Sequence, residues 1–126
     1  MSRILVIDDE AQIRSMLRRA LESAGYEVVD ARDGEEGIRV FQTLHPDLVI
    51  TDILMPEKEG LECIRELRQL APAVRIIAIS GGSSNSPLDL LDLARRFGAR
   101  RTFWKPLDLE MLVAAVREQL EDGGID

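Results

Sequence analysis

One cysteine, one histidine, one tryptophan and one tyrosine are all that the 126 residues hold of those types, and aromatic residues make up only 4%. A lone Cys63 has no intramolecular bridge to form, and its place on a helical pattern between Leu61 and Ile64 predicts a packed thiol with no redox role. With His45 as the single histidine, a zinc site is excluded. Long apolar runs are also missing. The longest strings, such as Ile4 to Ile7, are far too short to cross a bilayer, and Met1-Ser2-Arg3 leads into only four apolar residues before Asp8, which is no secretory signal. These absences predict a cytoplasmic protein without membrane insertion. No Gly-x-x-x-x-Gly-Lys-Ser/Thr run follows the first apolar string, which excludes a nucleotide-hydrolysing P-loop. Positive charge is in short supply: 16 basic residues against 23 acidic ones leave a net charge of -7. Such a balance repels phosphate backbones, so no direct nucleic acid binding is expected and the partners sought are proteins. Lysine is the scarcest cation, because 14 of the 16 basic residues are arginine and only Lys58 and Lys105 are lysines. A lysine in such a chain needs a reason.

What is present is an ordinary globular composition, 45% apolar and 31% charged, in a chain long enough to bury one core without staples. Apolar runs rich in Ile and Val alternate five times with stretches of helical spacing, which reads as repeated β-α units. The spacing predicts strands over Arg3 to Asp8, Glu27 to Ala31, Leu48 to Asp52, Arg75 to Ser80 and Arg101 to Trp104. Three of these are nearly all apolar, as a parallel sheet covered on both faces requires. The first helix runs through Ile13, Met16, Leu17, Ala20, Leu21 and Ala24 to a stop at Gly25. The other helices are expected over Glu35 to Leu44, Glu59 to Leu70, Leu88 to Phe97 and Leu109 to Leu120. Ser86 before Pro87 is placed to start the fourth and Asp108 to cap the fifth. One domain over residues 1–122 is expected, followed by a short disordered tail at 123–126.

The predicted strands end in Asp8-Asp9, Asp52, Ser80 and Lys105, and in an open parallel sheet those ends share the edge where ligands bind. Three carboxylates there repel one another, and a hard divalent cation is the usual remedy; Mg²⁺ suits an oxygen-only site of one or two carboxylates and a phosphate. A carboxylate is a competent nucleophile toward phosphorus, and such transfer is mainly positioning and charge neutralisation. Lys105 offers a compact charge with rotating donors, matched to a single phosphoryl oxygen where an arginine fork is not. Ser80 can donate its hydroxyl to another oxygen, with Gly81-Gly82 behind it letting the backbone approach closely and move.

Asp8-Asp9-Glu10, Asp52-Ile53-Leu54-Met55-Pro56, Glu59-Gly60-Leu61, Ser80-Gly81-Gly82 and Lys105-Pro106, in this order and spacing, resemble the receiver domain of bacterial two-component response regulators. The likeness runs from about Arg3 to Leu120 and is of the stand-alone, chemotaxis-type kind. It implies a doubly wound (βα)5 flavodoxin-like sandwich with five parallel strands in order 2-1-3-4-5. It further implies that Asp52 is the phosphoacceptor, that Asp8, Asp9, Asp52 and the Leu54 carbonyl hold Mg²⁺, and that Ser80 and Lys105 contact the phosphoryl group. The donor is then a phosphohistidine on a sensor kinase or phosphotransfer protein. The output goes to an unknown downstream protein through the face of the fourth helix, fifth strand and fifth helix.

Some residues have plainer readings, and others depart from that pattern. His45 sits away from the acidic edge and reads as a helix C-terminal cation or a satisfied turn residue. Arg95, Arg96, Arg100 and Arg101 form the densest basic cluster; Asp92 lies at helical spacing from Arg95 and Arg96, and an acidic partner is the alternative to that local pairing. Many receivers carry Tyr or Phe three residues before the lysine, where this chain has Thr102. Phe103 points to the opposite face by strand alternation, and Trp104, on the same face as Thr102, is expected to be a fixed packing residue. Arg100-Arg101 stand where dimeric DNA-binding regulators often have acids, so a monomer or weak phosphorylation-dependent dimer is expected. The protein is read as a switch that catalyses its own phosphorylation and dephosphorylation, and not as an enzyme. A non-phosphorylated docking module is the alternative, and an Asp-nucleophile hydrolase comes third.

Overall fold

Five strands and five helices alternate along the chain: β1 Arg3–Ile7, α1 Ala11–Ser23, β2 Glu27–Ala31, α2 Gly34–Leu44, β3 Leu48–Asp52, α3 Gly60–Leu70, β4 Ile76–Ser80, α4 Pro87–Phe97, β5 Arg101–Trp104 and α5 Leu109–Asp122. The computed structural model describes residues 1–53, 60–81 and 87–122. Ser86 and the expected tail lie outside these residues. All the strands pair in parallel, in the order β2-β1-β3-β4-β5. The predicted elements agree to within two residues; Asp8 falls just past β1, Arg75 just before β4, and α5 runs on to Asp122. Among the described residues no helix is long and apolar enough to cross a membrane.

Strand alternation divides the apolar side chains into two cores. Leu5, Ile7, Val49, Ile76 and Ala78 face α2, α3 and α4, where they meet Ile38, Phe41, Ile64, Leu67 and Ala94. Ile4, Val6, Leu48, Ile50, Ile77 and Ile79 face α1 and α5, against Leu17, Leu21, Leu112 and Val116. Each such side chain taken fully from water contributes about 1.5–3 kcal/mol, which is why β1, β3 and β4 have no polar alternation to read. Cys63 is one of the buried residues of the first core.

The helix ends follow from local chemistry. Asp33 caps α2 by accepting from the Glu36 N–H at 2.9 Å, and Glu36 reaches back to the Arg32 N–H at 2.7 Å. At the end of α1, Gly25 takes φ +98°, its N–H donates to Glu22 and the Tyr26 N–H to Leu21, a Schellman closure. Gly98 ends α4 in the same manner, with the Ala99 N–H donating to Ala94. His45 closes α2 in the left-handed conformation at φ 48°, a position glycine or asparagine usually fills. Asp108 caps α5 as its sequence position suggests, accepting from the Met111 N–H at 3.2 Å.

Two glycines allow helices to lie directly on strands. A Cβ on Gly37 would collide with the end of the Ile7 side chain, so α2 sits close on β1. A Cβ on Gly60 would overlap backbone, the Asp52 carbonyl oxygen and Ile53 Cα. The first turn of α3 is therefore seated on the end of β3.

Candidate functional site

Four strands deliver side chains to the carboxyl edge of the sheet. Asp52 and Ser80 are the last residues of β3 and β4, while Asp8 and Lys105 follow β1 and β5 directly. Parallel register brings these ends level, with Asp52 opposite Ile79 and Ser80 opposite Trp104. Main-chain bonds continue the ladder past the strands, from the Asp8 N–H to the Ala31 carbonyl and from the Lys105 N–H to the Ser80 carbonyl.

The side chains meet at the Lys105 ammonium. Its Nζ lies 3.0 Å from Asp8 Oδ2, 3.0 Å from Glu10 Oε1 and 3.2 Å from Asp52 Oδ2. Asp8, Asp52 and Ser80 are buried, and Lys105 is only 11% exposed. Burial pulls the ammonium toward its neutral form, but the carboxylates of Asp8, Glu10 and Asp52 more than reverse this and hold its pKa above the ordinary lysine range. For Asp8 the balance goes the other way. Loss of water raises its pKa, and the Glu10 N–H and Lys105 offset that only in part. An acid of this kind is incompletely compensated by the protein.

The predicted site residues are not all placed alike. Asp8, Asp52 and Lys105 are brought together directly. Asp9 is exposed beside them, and one carboxylate oxygen from each of Asp8, Asp9 and Glu10 lies within 4.8 Å of the others. Ser80 stands at the end of the neighbouring strand, and its Oγ is buried with no hydrogen-bond partner among the described residues. The Leu54 carbonyl lies outside the described residues. A Cβ on Gly81 would meet nothing within 4 Å among the described residues, and Gly82 lies outside them.

Glu10 is the participant that sequence reasoning missed. It was legible only as the third acid of the run Asp8-Asp9-Glu10, and its bond to Lys105 spans 95 residues of sequence. Behind the acids, Arg14 Nη1 donates to the Asp8 carbonyl at 2.8 Å and the Glu10 N–H donates to Asp8 Oδ1 at 2.8 Å, which fixes the loop leaving β1.

The donor set fits Mg²⁺. Only oxygen ligands are offered, they are acidic and clustered, and Asp8 Oδ2 is a buried oxygen with an ion pair but no aligned hydrogen bond. A cavity of about 570 Å³ lies at the opposite end of the sheet, lined by residues including Phe41, His45, Leu70, Val74 and Arg75. It shares nothing with this acidic group.

On the outer face, Arg95 Nη2 donates to Thr102 Oγ1 at 3.2 Å, joining α4 to β5. Of the expected local pairs, Arg96 with Asp92 is present at 3.0 Å, whereas Arg101 pairs with Glu118 of α5 at 3.0 Å and stacks over Phe103. Trp104 packs against the α2-α3-α4 core and Phe103 against the α1-α5 core, as alternation requires.

Comparison with known proteins places this geometry among its relatives. A family model described as the response regulator receiver domain matches residues 4–117. The chemotaxis protein CheY of Thermotoga maritima is 33% identical over 117 residues, which cover 92% of this chain and 95% of that protein. A probable transcriptional regulator of Cyanophora paradoxa is 38% identical over 118 residues, 94% of this chain but 48% of the regulator. The chain thus spans about half the length of several curated relatives. The crystal structure of a response regulator receiver domain protein from Clostridium thermocellum superposes with a TM-score of 0.91 at 32% identity, covering 99% of this chain and 98% of that one.

Proposed function

This chain belongs to the response regulator receiver domain family, which acts in phosphorelay signalling, and from that premise we propose that Asp52 is its phosphoacceptor, served by Lys105 and Ser80. The observation that supports this most directly is the Lys105 ammonium, 3.2 Å from Asp52 Oδ2 and 3.0 Å from Asp8 Oδ2 on a buried edge.

In this reading an Asp52 oxygen bonds to the phosphorus of a phosphohistidine, and the P–N bond breaks with its electron pair going to the donor imidazole. Lys105 keeps its proton throughout and offsets negative charge on the phosphoryl oxygens, where a preorganised cation in a dry site is most effective. Ser80 donates its hydroxyl, which has no partner among the described residues, to the transferred group. Asp8 and Asp9, with Asp52, would hold Mg²⁺, which when bound would supply further charge neutralisation. The phosphoryl group then favours conformers in which the end of β4 closes on it, and that shift reaches the α4-β5-α5 face. Water hydrolyses the acyl phosphate and resets the switch.

The donor is a sensor kinase or a histidine phosphotransfer protein, and the recipient of the signal is a protein that docks on the α4-β5-α5 face. The phosphoacceptor unit is residues 1–122, working in the cytoplasm as a monomer or a weak phosphorylation-dependent dimer.

Incubation with Mg²⁺ and acetyl phosphate, followed by intact mass measurement, tests the reading. A stable added phosphoryl mass that is absent in Asp52→Asn supports it. No addition points to a docking module of the same fold, and rapid release of phosphate without an accumulating adduct points to hydrolase chemistry.

A further inference from the structure

Three carboxylates surround one ammonium that has three N–H groups. Glu10 and Asp52 each accept a hydrogen bond from it and Asp8 faces it at 3.0 Å as an ion pair, so an incoming phosphoryl oxygen competes with these partners for the ammonium. The three partners differ in what their release would cost. Asp8 and Asp52 are buried at strand ends, where a carboxylate left alone is expensive. Glu10 has a side chain 58% exposed, so water can replace the ammonium there.

A second observation concerns the start of α1. Glu10 occupies the N-cap position in extended conformation, φ -92° and ψ 115°, yet its side chain makes no capping bond. Ser, Thr, Asp or Asn there would satisfy an orphan N–H of the first turn. Glu10 instead directs its carboxylate to Lys105, and its own N–H is held by Asp8 Oδ1 at 2.8 Å. The backbone is anchored beside the site, and the side chain is free to exchange.

Resting on the phosphoacceptor reading above, we propose that Glu10 is a positioning residue that holds the Lys105 ammonium over the site at rest and competes with the phosphoryl group for it. Its charge opposes arrival of the anionic phosphoryl group, and its bond to Lys105, the most exposed of the three contacts, is the one that yields as the phosphoryl oxygens take the ammonium. Glu10 thereby sets how readily Asp52 is phosphorylated.

The test uses the full chain with acetyl phosphate at saturating Mg²⁺. In this reaction the Asp52 oxygen bonds to phosphorus and acetate leaves with the electron pair of the broken P–O bond. Glu10→Gln keeps the length and a carbonyl acceptor but removes the charge. Its rate of mass gain is expected to be about two- to fivefold faster at low ionic strength, the size that one partly exposed ion pair supports, and the advantage should shrink as salt is added. A second readout is the lysine side chain itself. With ¹³Cε-labelled lysine the spectrum holds two side-chain signals, from Lys58 and Lys105, which Lys58→Arg assigns. The Lys105 signal should move in resting Glu10→Gln and coincide with that of the wild type once both are phosphorylated. An unchanged or slower rate in Glu10→Gln at saturating Mg²⁺, or a resting Lys105 signal identical to the wild type, overturns the inference while leaving Asp52 as acceptor. Failure of the wild type to gain mass overturns the phosphoacceptor reading instead.

Discussion

Ser80 carries a fully buried hydroxyl with no partner among the described residues. A group in that condition costs stability at rest, and removing it should cost nothing. Ser80→Ala is therefore expected to melt at the same temperature as the wild type or about 1–3 °C higher, while phosphorylation slows about tenfold or more. Thermal unfolding and the acetyl phosphate assay separate the two effects. Asp8 gives a matching expectation with a defined pH dependence. Its folded pKa is raised, chiefly by burial, so the native protein binds that proton more tightly than the unfolded chain does. The contribution is then fully present below the unfolded value of 3.8 and lost as pH rises through the folded one. Metal-free Asp8→Asn should melt above the wild type at neutral pH, by about 2–5 °C, with the gap closing as pH falls through the raised folded pKa toward the ordinary value of 3.8. Lys105, also raised, stabilises the fold until pH exceeds its ordinary value of 10.5. These residues were legible in sequence because strand ends in a parallel sheet have a common edge. The role of Glu10 was not, since nothing local distinguishes a side chain that turns to Lys105 from one that caps its own helix.

Among the elements, α3 is the most tightly constrained by the site. Gly60→Ala would drive a methyl group into the Asp52 carbonyl and Ile53 backbone, and neither can move without shifting Asp52. We expect a loss of about 1–3 kcal/mol in urea denaturation, even though alanine favours helix, together with slower phosphorylation. Gly37→Ala meets only the end of the Ile7 side chain, which can rotate, and should cost less and leave phosphorylation intact. Helix and strand positions could be read from periodicity because the two cores take alternate residues of each strand. Terminal details were less legible: α2 is closed by His45 in a conformation that favours glycine or asparagine. Arg95 likewise bonds Thr102 across to β5, a contact that helical spacing to Asp92 does not reveal.

For the whole molecule, an acidic group gathered on one edge should link metal binding to folding. Mg²⁺ binding only the native state adds about 1.4 kcal/mol at ten times its Kd, so millimolar Mg²⁺ should raise the melting temperature by a few degrees. Chelation should reverse the shift, and Asp9→Asn should weaken it. The strand order was legible only through the resemblance, because periodicity says nothing of which strands are neighbours.

That order also has a consequence for synthesis. β1 pairs with β2 and β3, so the first half of the sheet can assemble as it leaves the ribosome, and β4 and β5 add outward from it in turn. Asp8 and Asp52 belong to the early half and Ser80 and Lys105 to the late one. A nascent chain therefore carries Asp8 and Asp52 before it has the lysine that pairs with both, and the charge balance of that edge is completed only after β5.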